Sequence, residues 1–152
     1  MLPLKVLMCE PKYFDINYIG NEYMTNLNAD FDKHLALNQW NSLKSIYENL
    51  GLEVRTITPA ENLVDMVFTA NQSLPFLSID GVKKVVLSKM RNEQRKNEVP
   101  FFKDFYLKEG YEVIELPENI SYFESMGDAI IDYNRKIIFG GFGYRTHENV
   151  YD

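Results

Sequence analysis

The chain has 152 residues, 45% hydrophobic and 25% charged, a composition that suits one globular domain and excludes a disordered segment. Its formal net charge of −6 excludes a nucleic-acid surface, which needs a basic face. The single cysteine, Cys9, excludes an internal disulfide and predicts a reducing, cytoplasmic compartment. No run has the length or apolarity of a signal segment or a membrane span. His34 and His147 lie far apart without a Cys or His at ligand spacing, so neither a metal site nor a cofactor is expected.

In chain order, short apolar runs alternate with helical patterns. Residues 5–9 (KVLMC) read as a buried strand ending before Pro11. Residues 31–49 carry Leu35, Leu37, Trp40, Leu43, Ile46 and Tyr47 at helical spacing, with Trp40 expected in the core and Gly51 at the C′ position. Residues 53–58 alternate as a strand stopped by Pro59, residues 66–69 read as a short strand, and 82–87 as another after the Asp80-Gly81 turn. The basic stretch 89–96, diluted by Glu93, reads as a solvated loop. Residues 100–108 form a second helix with Phe101, Phe102, Phe105 and Tyr106 on its apolar side, closed by Gly110. Three strands follow, at 112–116, 129–132 and 136–139, the last two joined at Tyr133-Asn134.

The most informative pattern is internal. YENLGLEVRTITP at 47–59 is echoed by YLKEGYEVIELP at 106–117. Each echo precedes an acidic element (VDMVFTAN at 64–71, FESMGDAI at 123–130) and then an apolar strand, VVLSKMR at 85–91 and IIFGGFGYR at 137–145. The opening KVLMCEP repeats the strand-plus-loop type. Repeat units of roughly 31–91 and 98–145 follow, within a single domain spanning 1–152, and units that cannot bury their own sheets must pack around a shared centre.

The motifs DMVFTAN (65–71), FESMGDAI (123–130) and GFGYRT (141–146) together resemble the N-terminal half of the guanidino-group-modifying enzymes. That superfamily includes amidinotransferases, arginine deiminases and dimethylarginine dimethylaminohydrolases. The resemblance covers essentially the whole chain. It implies an α/β fold: a partial propeller of the pentein type, with about two and a half ββαβ modules. The chemistry implied is attack by a cysteine thiolate on a guanidinium carbon, with an imidazole as general acid and base and carboxylates holding the cation. Carboxylates suit a planar guanidinium because they accept paired N–H bonds.

Carried over position by position, the resemblance gives Glu124 as the catalytic-site acid and Asp65, Asn71, Asp128 and Arg145 as substrate-binding residues. Arg145 would anchor a substrate carboxylate by its forked N–H groups, with Arg91 as a second candidate. Asn71 stands where many members have aspartate, and Ala70 where some have glutamate, which departs from the pattern for arginine or dimethylarginine. Plainer readings stand beside these. Asp65 also suits a turn cap, Glu124 and Asp128 a solvated sheet edge, and Arg145 a structural partner for either acid. The family's histidine and nucleophilic cysteine have no match here: Cys9 reads as a small buried residue and His147 as an exposed loop residue. The expectation is therefore the N-terminal portion of a hydrolase acting on a small cationic guanidino compound, inactive alone. It would work as a homo-oligomer or with a complementing C-terminal half, without nucleic acid or membrane. The alternative is a non-catalytic binding protein or truncated relic that pairs with another chain.

Overall fold

In the computed structural model, which describes residues 5–16, 18–19 and 31–152, the chain divides into two units, one ending at Phe68 and one running from Thr69 to Asp152. Each is described by itself. Among the described residues no helix is long and apolar enough to cross a membrane.

In the first unit, strand β1 (Lys5–Cys9) pairs in parallel with β2 (Glu53–Ile57), from Lys5 opposite Glu53 to Cys9 opposite Ile57. Helix α1 (Lys33–Asn49) is part of the connection, as a parallel pair requires a long crossover. Asp32 caps it by accepting the Leu35 N–H. Its other end closes on Gly51 at φ +78°, with Gly51 N–H on the Glu48 carbonyl and Leu52 N–H on that of Tyr47. This is the Schellman arrangement, which glycine takes without strain. Met8, Cys9, Ile57 and Met66 are buried, whereas no residue of α1 is. The expectation that Trp40 lies in the core is corrected: it is only half-buried, because a two-stranded sheet offers little area to a helix of this length. The strand expected at 66–69 is instead a 3₁₀ helix, Val64–Val67, whose bonds are local, such as Phe68 N–H to the Asp65 carbonyl.

In the second unit, β3 (Ser73–Leu77) runs antiparallel to β4 (Lys83–Leu87), and β4 parallel to β5 (Glu112–Ile114). The strand β3 was not legible in the sequence because Pro75 interrupts it, yet it lies at the sheet edge, where a missing N–H costs no ladder bond. Between β4 and β5 lie α2 (Glu93–Lys96) and α3 (Val99–Lys108). The i, i+4 pair Phe102 and Tyr106 is buried while Phe101 is exposed, so α3 buries a narrower stripe than its composition suggests. It closes as α1 does: Gly110 sits at φ +75°, its N–H on the Leu107 carbonyl, with Tyr111 N–H on that of Tyr106. The stretch at 89–96 is not wholly a solvated loop. Arg95 turns inward onto Glu98, which is only 1% exposed and also accepts from Gln72 Nε2.

A second hairpin pairs β6 (Ala129–Asp132) with β7 (Ile137–Gly140). Its turn is held by the Asp132 carboxylate, which accepts the N–H groups of Asn134 and Arg135. Leu74, Phe123 and Ala129 are buried together, packed by Val86, Leu116, Ile131 and Val150. The described strands form sheets of two, three and two strands, an α/β arrangement in which no closed sheet is seen.

Candidate functional site

Glu124 and Asp128 flank one short 3₁₀ turn, Ser125–Gly127, between the Phe123 core residue and β6. The turn closes through Gly127 N–H to the Glu124 carbonyl and Asp128 N–H to that of Ser125, both at 3.0 Å. Ser125 is fully buried and takes φ +46°, a left-handed conformation that costs a residue with a Cβ about 1–2 kcal/mol. Strain of this kind persists only where the surroundings over-determine it. Here they do, because the hydroxyls of Ser125 and Ser88 meet, and Ser88 also donates to the Asn71 carbonyl.

Asn71 approaches from the start of β3. Its Nδ2 donates to Glu124 Oε2 at 3.3 Å. A Cβ on Gly127 would collide with that amide, so glycine at 127 is what lets Asn71 come close. From the other side, the loop 141–146 brings Arg145. Its Nη2 donates to Asp128 Oδ1 at 2.9 Å and its Nη1 lies 3.4 Å from Glu124 Oε2. The Thr146 hydroxyl donates to Asp128 Oδ2 at 2.7 Å and accepts the Glu124 backbone N–H at 3.1 Å.

Glu124 is 4% exposed. Burial pushes its carboxyl above the ordinary value, opposed mainly by the positive charge of Arg145. Its Oε1 has no partner among the described residues, whereas both oxygens of Asp128 are engaged. Beside the Arg145 loop is a cleft of about 240 Å³, lined by Asp128, Gly141, Phe142, Gly143, Tyr144, Arg145 and Thr146. A larger cavity of about 550 Å³ lies around Met90, Val99, Pro100 and Tyr122 and includes neither acid.

Asn71, Glu124, Asp128 and Arg145 are thus brought together. Asp65 belongs to the first unit, where its carboxylate accepts the Tyr18 hydroxyl. Arg91, the second anchor candidate, instead lies over the Tyr144 ring at 3.9 Å and donates to the Tyr144 carbonyl at 2.6 Å, bracing the loop that carries Arg145. Cys9 is buried in β1, and His147 is exposed, capping the final 3₁₀ turn by accepting the Asn149 N–H. Sequence reasoning missed Ser88, Ser125 and Thr146. The sole signal for Thr146 was its place after Arg145 in GFGYRT. Among the described residues no group of three or more His, Cys, Asp or Glu side chains is placed to hold a metal ion.

A scan against family models matches residues 10–152 to the eukaryotic N,N dimethylarginine dimethylhydrolase family. The chain belongs to that family. Its likeness to the guanidino-group-modifying enzymes, resting above on three motifs, therefore holds over nearly the whole sequence.

Among curated relatives, the family member described here is 36% identical over 155 residues to an uncharacterized protein of Caenorhabditis elegans, covering 97% of this chain and 50% of that protein. It is 33% identical over 143 residues to the bifunctional arginine dihydrolase/ornithine cyclodeaminase AgrE of Nostoc, covering 94% of this chain and 19% of that one. Among solved structures, the N-terminal domain of ArgZ, a cyanobacterial arginine dihydrolase captured with substrate in a cysteine-to-serine variant, superposes with a TM-score of 0.85 at 32% identity. That match covers 95% of this chain and 51% of the other. The chain thus spans about half or less of the length of these relatives.

Proposed function

We propose that this chain supplies the cation-binding half of a hydrolase acting on an arginine-like guanidino substrate. The observation that carries the reading is the cluster at the 3₁₀ turn. A buried Glu124 keeps one carboxylate oxygen without a partner among the described residues, beside the Asn71 amide and the Arg145 guanidinium. Glu124 accepts N–H bonds from the substrate guanidinium, and charge-assisted bonds of this kind are the strong ones. Arg145 is 46% exposed at its side chain. Held by the acids, it still has N–H donors to offer the substrate's own carboxylate. Asn71 completes the substrate contacts in this unit, and Asp128 joins the site through Arg145.

Two relatives support the substrate class: the ArgZ domain was captured with its substrate, and AgrE with L-arginine. Asn71, where the family pattern has aspartate, offers an amide donor and acceptor in place of a second negative charge. The cluster contains no thiol. A complementing C-terminal half, or a second chain, brings the nucleophile and the general base, and the modules pack as a partial propeller of the pentein type. The compartment is cytoplasmic, in keeping with a single buried thiol.

Calorimetry of the full chain with L-arginine tests this. Binding is expected, weakened at least tenfold in Glu124→Gln. Absence of heat with L-arginine, dimethylarginine and other guanidino compounds alike would sink the reading.

A further inference from the structure

We infer that Asp128 and Thr146, both in the wall of the cleft beside the Arg145 loop, form a positioning pair that acts on binding through Arg145 and the Glu124 backbone, which they hold in place. This deepens the proposed function and rests on that reading for its ligand.

The two acids of FESMGDAI are not equivalent. Asp128 spends Oδ1 on Arg145 Nη2 and Oδ2 on the Thr146 hydroxyl. Among the described residues, Glu124 spends only Oε2, shared between Asn71 and Arg145. A carboxylate with both oxygens engaged inside the protein has less capacity for a further donor than one with an oxygen left over.

Thr146 links the pair. A hydroxyl has one proton to give and lone pairs to receive. Thr146 gives its proton to Asp128 and receives the Glu124 N–H, so it is used in both directions and is 1% exposed. Since Asp128 also grips Arg145, one buried hydroxyl ties the backbone of the first acid to the side chain of the second and, through it, to the guanidinium.

The loop backbone is fixed at further points on both sides of Thr146. Gly143 N–H donates to the Thr146 carbonyl at 2.8 Å, Gly141 N–H to the Asp128 carbonyl at 2.7 Å, and His147 N–H to the Tyr122 carbonyl at 2.9 Å. Catalytic geometry is sensitive to displacements well under an ångström, so a residue that fixes two partners at once governs binding through them.

The test has one arm without ligand and one with it, both on the full 152-residue chain. In the first, amide hydrogen exchange is read by NMR in wild type, Thr146→Val and Thr146→Ser. The Glu124 amide is expected to exchange at least tenfold faster in the valine variant and near the wild-type rate in the serine variant, with the Val85 and Val86 amides of β4 unchanged in both. Equal exchange at Glu124 in wild type and the valine variant, or equal acceleration in both variants, overturns the pairing.

In the second arm, L-arginine affinity is measured for Thr146→Val, Asp128→Asn and the double variant. Each single change is expected to weaken binding about tenfold, and the double change no further than either. Losses that multiply would show that Asp128 meets the ligand by itself, and overturn the assignment. If wild type binds no guanidino compound, the proposed function fails while the exchange arm still decides the positioning role.

Discussion

The acids at 124 and 128 differ because their surroundings differ, not because their side chains do. Burial holds the Glu124 carboxyl above its ordinary value of 4.5, and Arg145 and Arg95 only partly offset this against Asp128 and Glu98. An acid whose folded pKa lies above its unfolded one keeps its proton longer in the folded state. Its contribution to stability is therefore greatest below about pH 4.5 and falls as pH rises toward the folded value. The stability of wild type relative to Glu124→Gln should decline through that window and level off above it, which urea midpoints measured from pH 4 to 8 will show. Gly127 makes a second case at this scale. An added methyl group would meet the Asn71 amide, and overpacking of this kind costs about 1–3 kcal/mol. Gly127→Ala should lower the unfolding free energy by that amount, read from urea denaturation, and move the Asn71 side-chain amide resonances. An unchanged Asn71 would contradict the close approach.

At the scale of elements, the two sequence echoes produce the same local structure. In both, a tyrosine carbonyl receives the N–H three residues past the helix, glycine takes a left-handed φ, and a strand opens with Glu-Val. In both, that glutamate faces a lysine across a parallel pair: Lys5 with Glu53 at 3.0 Å, and Lys84 with Glu112 at 3.3 Å. These ion pairs are partly solvated and worth little energetically, but they mark the register. The caps matter more. Nothing lies within 4 Å of a Cβ built on Gly51, and on Gly110 only the Lys83 ammonium at an ordinary distance. Gly51→Ala and Gly110→Ala should therefore each cost about 1 kcal/mol for backbone conformation alone, as chemical denaturation of the two variants will report. A large difference between them would mean that one helix end relies on packing.

At the scale of the whole molecule, the β6–β7 hairpin is the exposed feature. Ile130, Ile137, Ile138, Phe139 and Phe142 all face outward, and an apolar edge strand of this kind invites association. Sedimentation at micromolar concentration should find species heavier than the monomer, shifted toward monomer by Ile138→Lys with Phe139→Glu. A monodisperse monomer in the unsubstituted chain would remove the expectation of self-association.

Local rules made much of this chain legible. Glycines past helix ends, alternation in β2 and the echo of Tyr-x-x-x-Gly-x-Glu-Val are short-range signals, governed by backbone sterics and nearest-neighbour bonds. The motifs around Asn71, Glu124, Asp128 and Arg145 were legible by resemblance. The strand at Ser73–Leu77 was not, because only its edge position excuses Pro75. The placement of Trp40 failed because burial depends on what covers a helix, not on its stripe. The sequence by itself determined the helix ends, the family and the acids' identities. Tertiary structure alone decided which acid retains an oxygen among the described residues, since that turns on Arg145 and Thr146 meeting Asp128 across 17 and 18 residues of chain.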